Sequence, residues 1–286
     1  MDVLTEKIKL NAMGKYCKGE EYTKSYKVFL EKSQQHSRLG KNLRCYLPVA
    51  MEGVHITTDA CRVLSIGSGD GEVDLKVLKV LKEVTKKRIF CRVIEPNEYS
   101  LNKYKTSIES LSPNDDMTFD INKPKTFQKY MTESLADQDQ FDVVHFLHSI
   151  YYMDFEEALT HCYEKELGES GLIVCVFAAD DIMFEAKQKL FGICQPNQSI
   201  SQVVKQQGWK YQEYKDEYML DVTEVMNDQS ETGNLLLDFL TQTTNFRRSA
   251  DHQMTKAILD VIDDLSIQKD GKLFCKKVDY YTFIFK

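Results

Sequence analysis

The chain contains no Cys-x-x-Cys pair. Its eight cysteines (Cys17, Cys45, Cys61, Cys91, Cys162, Cys175, Cys194 and Cys275) are scattered, so no zinc-ligand spacing is present and no metal is expected. No apolar run reaches the length of a membrane span. The opening residues Met1-Asp2-Val3-Leu4-Thr5-Glu6-Lys7 lack the apolar core of a signal peptide. Basic residues are not in excess: 37 Lys and Arg stand against 44 Asp and Glu, a formal net charge of −7, which argues against a nucleic-acid partner. No internal repeat or low-complexity tract occurs. What remains is ordinary for a soluble globular protein: 286 residues, 42% hydrophobic and 28% charged. That length suits one large domain, or one domain with a sizeable insertion. Cys91 and Cys175 fall in apolar, strand-like runs, where a thiol acts as a small hydrophobe. Such usage fits a reducing compartment, and a cytoplasmic location is expected.

The most informative run is Val63-Leu64-Ser65-Ile66-Gly67-Ser68-Gly69-Asp70-Gly71-Glu72-Val73-Asp74-Leu75. An apolar strand enters three alternating glycines, and a helical pattern follows at once. Glycine lets backbone approach a ligand, and a helix start offers N–H groups. Glu95 closes the next apolar run, Val93-Ile94-Glu95-Pro96, 24 residues beyond Gly71. That is close to the spacing at which an acidic side chain meets ribose hydroxyls. The dinucleotide fingerprint requires a glycine in the sixth place, which here is Glu72. The alternating Gly-x-Gly-x-Gly form is usual in S-adenosylmethionine-binding methyltransferases. An acidic first turn would repel a pyrophosphate yet tolerate a zwitterionic amino-acid tail.

The surrounding pattern alternates strand and helix. Strands are expected at 62–66, 89–94, 117–119, 140–148 and 171–178. Helices are expected at 20–35, 41–50, 72–83, 98–111 and 155–166. Such alternation predicts a parallel sheet covered by helices. In the last third, a helix at 201–207 precedes a strand at 208–214. Helices are expected at 232–241 and 252–265, and a closing strand at 277–285 can pair antiparallel at the sheet edge. The expected fold is therefore α/β, a Rossmann-like seven-stranded sheet of the class I methyltransferase kind, mostly parallel with its last strand antiparallel. Residues 1–286 form a single domain in this reading, with a small helical cap drawn from 1–55 and about 182–270.

Several blocks are more specific. Leu64-Ser65-Ile66-Gly67, Val93-Ile94-Glu95-Pro96, Ser149-Ile150-Tyr151-Tyr152 and Gly233-Asn234-Leu235-Leu236-Leu237-Asp238-Phe239-Leu240-Thr241 resemble the histamine N-methyltransferase family. So do Tyr22-Thr23-Lys24-Ser25-Tyr26 and Lys269-Asp270-Gly271-Lys272-Leu273-Phe274. The resemblance runs from about Tyr22 to the C-terminus. It implies a cytosolic, typically monomeric enzyme using S-adenosylmethionine, with S-adenosylhomocysteine as product. Carried over, it puts Gly67, Ser68, Gly69, Gly71, Glu95, Pro96, Ser100, Thr126 and Leu147 at the cofactor. Gly67 approaches the methionine part, Glu95 takes the ribose hydroxyls, and Thr126 and Leu147 flank the adenine. Ser100 stands where the family has a longer glutamine.

The implied substrate positions depart further. The family's glutamate is Gln35 here, and a glutamine after the fourth strand is His148. A C-terminal asparagine falls at Lys276 or Lys277, with Lys276 taken as the site residue, and a tryptophan becomes Gln188. The aromatic frame is retained as Tyr22, Tyr26, Tyr151, Tyr152 and Phe239. A charge-assisted hydrogen bond is worth roughly 1.5–3 kcal/mol against about 1 for a neutral one. Loss of the carboxylate at position 35 therefore predicts weaker binding of histamine itself, and a related amine or imidazole, one bearing an acidic group, becomes the expected acceptor. His148 is the candidate catalytic residue, orienting the accepting nitrogen or taking its proton. Each assignment has a bland counterpart: tyrosines on one helix face pack cores, a strand-end histidine is as often structural, and His145 reads as structural. Transfer to oxygen, sulfur or a protein side chain, or a non-catalytic cofactor-binding scaffold, are the alternatives.

Overall fold

The computed structural model describes residues 20–112, 115–121, 123–133, 140–179, 182–191 and 199–286. Five parallel strands form one end of the sheet. They are β1 (Ala60–Ile66), β2 (Arg88–Ile94), β3 (Met117–Ile121), β4 (Phe141–Leu147) and β5 (Leu167–Ala178). Adding β6 (Lys210–Asp221), β7 (Ser266–Lys269) and β8 (Lys272–Phe285), the order is β3-β2-β1-β4-β5-β8-β6, with β7 paired to β8. Lys286 N–H reaches the Gly171 carbonyl and Ala179 N–H the Val278 carbonyl, so β8 runs antiparallel to β5. The sheet is thus Rossmann-like and mostly parallel, with the last strand reversed, but it has eight strands, not seven. The extra strand is β7, joined to β8 through Asp270-Gly271, both at positive φ (52° and 74°). Asp-Gly is a strong signal for a two-residue hairpin.

Two compact units divide the described chain. One holds residues 36–177, 198–215 and 280–286. The other holds the described residues up to 35, those of 178–197, and 216–279. Residues 36–55 and 198–215, expected in a cap, fall in the first of these units.

In the first unit, strand residues Val63, Leu64, Val143, Val144, Phe146, Leu172, Ile173 and Val174 are completely buried. Strands covered on both faces read as unbroken apolar runs, which is why the sequence exposes them so clearly. Its helices include α2 (Gln35–Met51, all but its first residue), α3 (Glu72–Thr85), α4 (Glu98–Glu109), α5 (Phe127–Glu133) and α6 (Phe155–His161). Leu39, Leu43 and Leu47 repeat every fourth residue of α2 and are buried. Each such burial contributes about 1.5–3 kcal/mol. Gln34, at φ 56°, breaks the chain before α2, so the expected helix over 20–35 ends at Ser33. A one-turn π-helix at Cys162–Glu166 closes α6. Burial raises the thiol pKa of Cys91 and Cys175, as expected for thiols acting as apolar filler.

The second unit packs α1 (Glu20–Ser33), α7 (Ile182–Phe191), α9 (Glu231–Thr241), α10 (Phe246–Ser249) and α11 (His252–Asp264) around their own apolar cluster. The helix α8 (Ile200–Gln206) belongs to the first unit and begins with a Ser199–Gln202 capping box. Among the described residues, no helix is long and apolar enough to cross a membrane.

Candidate functional site

The strand order reverses between β1 and β4, and open α/β sheets bind ligands beyond the carboxyl ends of strands at such a point. The glycine run sits there, between β1 and α3. Gly67, Gly69 and Gly71 all have positive φ (70°, 60° and 82°). Their surroundings differ. A Cβ on Gly67 would stand 2.4 Å from the Ser149 Cβ, and one on Gly71 would stand 2.2 Å from the Tyr104 ring. A Cβ on Gly69 would meet nothing within 4 Å. Of the three, only the middle glycine faces open space. Gly67, assigned to the methionine part, and Gly71 are glycine because protein packs against them.

Glu95 directly follows β2 and is 7% exposed. Its carboxylate accepts Gly69 N–H at 2.8 Å and Asn97 N–H at 2.8 Å, one on each oxygen. Burial raises its pKa, against the lowering effect of these two donors. Each carboxylate oxygen keeps lone-pair capacity for a further donor such as a hydroxyl. Glu95 thus locks the open glycine and could grip a diol with the same two atoms. Beneath the turn, Asp74 of α3 is buried. Ser65 donates to its Oδ1 at 2.9 Å, Tyr104 donates to its Oδ2, and His145 Nε2 lies 2.8 Å from Oδ1. Ser65 Oγ is also 2.8 Å from Ser68 Oγ, so the turn is tied downward into β1, α3, α4 and β4. His145 is buried and structural in this sense.

Leu147, the last residue of β4, is half-buried, and His148 just beyond takes φ 54°, a conformation that non-glycine residues seldom adopt. Its Nδ1 lies 2.9 Å from the Tyr151 hydroxyl, with the rings stacked at 6.4 Å. Ser149 donates to the Ile66 carbonyl at 2.5 Å, joining β4's end to β1's end. Tyr151 and Tyr152 lie in a 3-10 turn, Ile150–Tyr152, with rings edge-to-face. Ser100 gives its N–H to the Asn97 side chain at 3.3 Å. Pro96 and Thr126 are exposed, and Thr126 Oγ1 accepts Lys129 N–H at 3.2 Å. His36, at the start of α2, is 3.3 Å from Glu72 Oε2. Burial lowers its pKa, while Glu72 opposes that shift. The sequence reading did not single out His36.

The other unit assembles an aromatic ladder. Tyr22 stacks on Tyr26 at 5.7 Å, Tyr26 on Phe239 at 5.4 Å, and Phe239 on Phe29 at 4.4 Å. Three of these were expected at a substrate site. Phe29 was not among the expected site residues. Gln35, 4% exposed, donates through Nε2 to the Tyr218 hydroxyl at 3.0 Å, and Tyr218 donates to Asp279 at 3.1 Å. Tyr218 and Asp279 carried no signal in the sequence. Lys276, the residue first placed at the site, is exposed and pairs with Glu217 at 2.8 Å. Side chains alternate along a strand, so Lys277 is the buried one, its Nζ 5.4 Å from the centre of the Phe29 ring. Gln188 is exposed on α7. Among the described residues, no group of three or more His, Cys, Asp or Glu could hold a metal ion.

No protein-family model matches the chain. It is similar to the histamine N-methyltransferase of Rattus norvegicus, 27% identical over 266 residues, covering 88% of this chain and 90% of that one. It is similar also to carnosine N-methyltransferase 2 of Gallus gallus, 23% identical over 274 residues, covering 91% and 85%. The resemblance drawn from individual blocks is thus met by relatives along nearly the whole chain. Among solved structures, the YcgJ protein of Bacillus subtilis aligns with a TM-score of 0.52 at 14% identity, covering 85% of this chain and 98% of that one. A Bacillus halodurans protein provisionally assigned as a methyltransferase aligns with a TM-score of 0.50 at 12% identity, covering 84% and 98%. These two bear on the fold alone, a Rossmann-like α/β sheet.

Proposed function

We propose that this chain is an S-adenosylmethionine-dependent N-methyltransferase acting on a nitrogen of a small amine or imidazole compound. The observation that carries the reading is the open Gly69 locked to Glu95 at the sheet's reversal point. Curated relatives named for N-methyl transfer to histamine and carnosine support it. Bound there, S-adenosylmethionine supplies an electrophilic methyl group on a positively charged sulfur. Glu95 accepts the ribose hydroxyls, Ser68, Gly69 and Ser100 line the donor, and Leu147 and Thr126 border its base.

The remaining work is positioning and keeping the acceptor nitrogen uncharged. Tyr151, at hydrogen-bond distance, orients the His148 imidazole, which holds the acceptor's nitrogen or receives its proton. The ladder of Tyr22, Tyr26, Phe29 and Phe239 offers ring faces to a flat or cationic acceptor. Tyr152 and Gln35 complete the recognition set, and Lys277 takes the place first given to Lys276. The same reading takes the protein as a cytoplasmic monomer with neither nucleic-acid nor membrane partner.

The test is turnover with methyl-labelled S-adenosylmethionine against a panel of imidazoles, primary amines, a catechol, a thiol and a peptide. The expected result is label on an amine or imidazole nitrogen, with S-adenosylhomocysteine formed in equal amount. Label confined to oxygen, sulfur or peptide, or none at all, overturns the reading.

A further inference from the structure

Gln35, Tyr218 and Asp279 come from α2, β6 and β8 and form one hydrogen-bonded chain, with exposures of 4%, 5% and 1%. The proton directions along it are dictated from one end. A carboxylate can only accept. The single Tyr218 proton therefore goes to Asp279 Oδ2. The Tyr218 oxygen can then only accept from Gln35, so the amide nitrogen must be the atom facing the tyrosine. With Asp279 ionised, the choice between amide nitrogen and oxygen, ordinarily ambiguous, follows from the Gln35–Tyr218–Asp279 hydrogen bonds. Gln35 Oε1 is turned away from Tyr218 as an acceptor. Donation from the amide N–H also draws electron density onto that oxygen, since hydrogen bonds in series polarise one another.

We propose that Asp279 and Tyr218 are positioning residues that hold Gln35 as a one-way hydrogen-bond acceptor toward the methyl acceptor, so that the favoured substrates present an N–H group to it. This rests on the N-methyltransferase reading. It explains how an amide serves at position 35: the negative charge stands two hydrogen bonds away, at Asp279, and acts through Tyr218. Lys277, two residues before Asp279 on the same side of β8, is buried on that face of the strand. The chain selects a ring or amine bearing N–H and disfavours an analogue whose N–H is blocked.

The experiment uses Tyr218→Phe, Asp279→Asn and the double variant Gln35→Glu/Asp279→Asn. The readouts are acceptor KM and kcat on an imidazole amine and on its ring-N-methylated analogue, S-adenosylmethionine Kd by calorimetry, and thermal midpoint. Tyr218→Phe and Asp279→Asn are expected to raise acceptor KM five- to twentyfold, with donor Kd within twofold of wild type. Discrimination against the blocked analogue should shrink by a similar factor. The double variant should recover most of the loss, because the chain can run in reverse: the amide introduced at position 279 donates to Tyr218, and Tyr218 donates to the carboxylate introduced at position 35. A merely structural role predicts no such rescue. Unchanged KM in both single variants, or a double variant no better than Asp279→Asn, overturns the proposal. If Asp279→Asn does not fold, Tyr218→Phe carries the same KM test. Wild-type protein that binds no donor would instead bring down the underlying reading.

Discussion

Glu95 and Asp238 make the same arrangement in the two units, and they do different things. Each is a buried carboxylate that accepts two backbone N–H groups: Gly69 and Asn97 for Glu95, Asn245 and Phe246 for Asp238. Burial raises the pKa of each, and the backbone donors pull it back. Glu95 holds a turn whose middle glycine opens onto space. Asp238 holds the start of α10, where its two oxygens close a loop. The motif of a carboxylate on two amides is therefore not a binding site by itself. What distinguishes the first is the missing side chain beside it, at a place where the sheet's order reverses.

The glycines give the largest effects with which to break this comparison. Gly71→Ala combines a left-handed backbone with a collision against Tyr104. It should destabilise by about 3 kcal/mol, from roughly 1–2 for the backbone and about 1–3 for overpacking. Gly69→Ala meets no neighbour and should lower stability by only about 1–2 kcal/mol, while weakening donor binding at least tenfold. Urea unfolding and calorimetry separate the two. Equal losses of stability would mean that Gly69 is not the open position.

A pH effect sharpens the Asp238 side. Its pKa is pushed up from 3.8 to about 6, with burial as the main cause. A carboxyl raised on folding favours the protonated state of the native protein, so stability falls as pH rises from about 4 to about 6. The full difference is on the order of 3 kcal/mol. Asp238→Asn should flatten most of that slope in denaturant titrations across this range. Glu95 contributes a residual slope of the same sign. A slope unchanged in the variant would assign it elsewhere.

Legibility in the sequence followed sequence distance. Buried parallel strands announced themselves as apolar runs, and the glycine turn with Glu95 was readable because spacing along a βαβ unit is local. What those glycines touch was not readable: Ser149 and Tyr104 are brought in by other elements. The Asp270-Gly271 hairpin was local too, yet it was used as a family match rather than as a turn signal, and β7 was lost with it. The Gln35–Tyr218–Asp279 chain joins residues 183 and 61 positions apart, and no periodicity marks it. The choice between Lys276 and Lys277 turned on strand register, which alternation fixes only once the buried face is known.

The central claim is that Glu95 and the turn around Gly69 grip the nucleoside of a methyl donor. Titrating S-adenosylhomocysteine calorimetrically into wild type and Glu95→Ala, at equal thermal stability, tests it most directly. The account predicts micromolar binding by wild type and a loss of about 100-fold in the variant, in line with charged hydrogen bonds worth roughly 1.5–3 kcal/mol each. Equal affinity for the two proteins would contradict it.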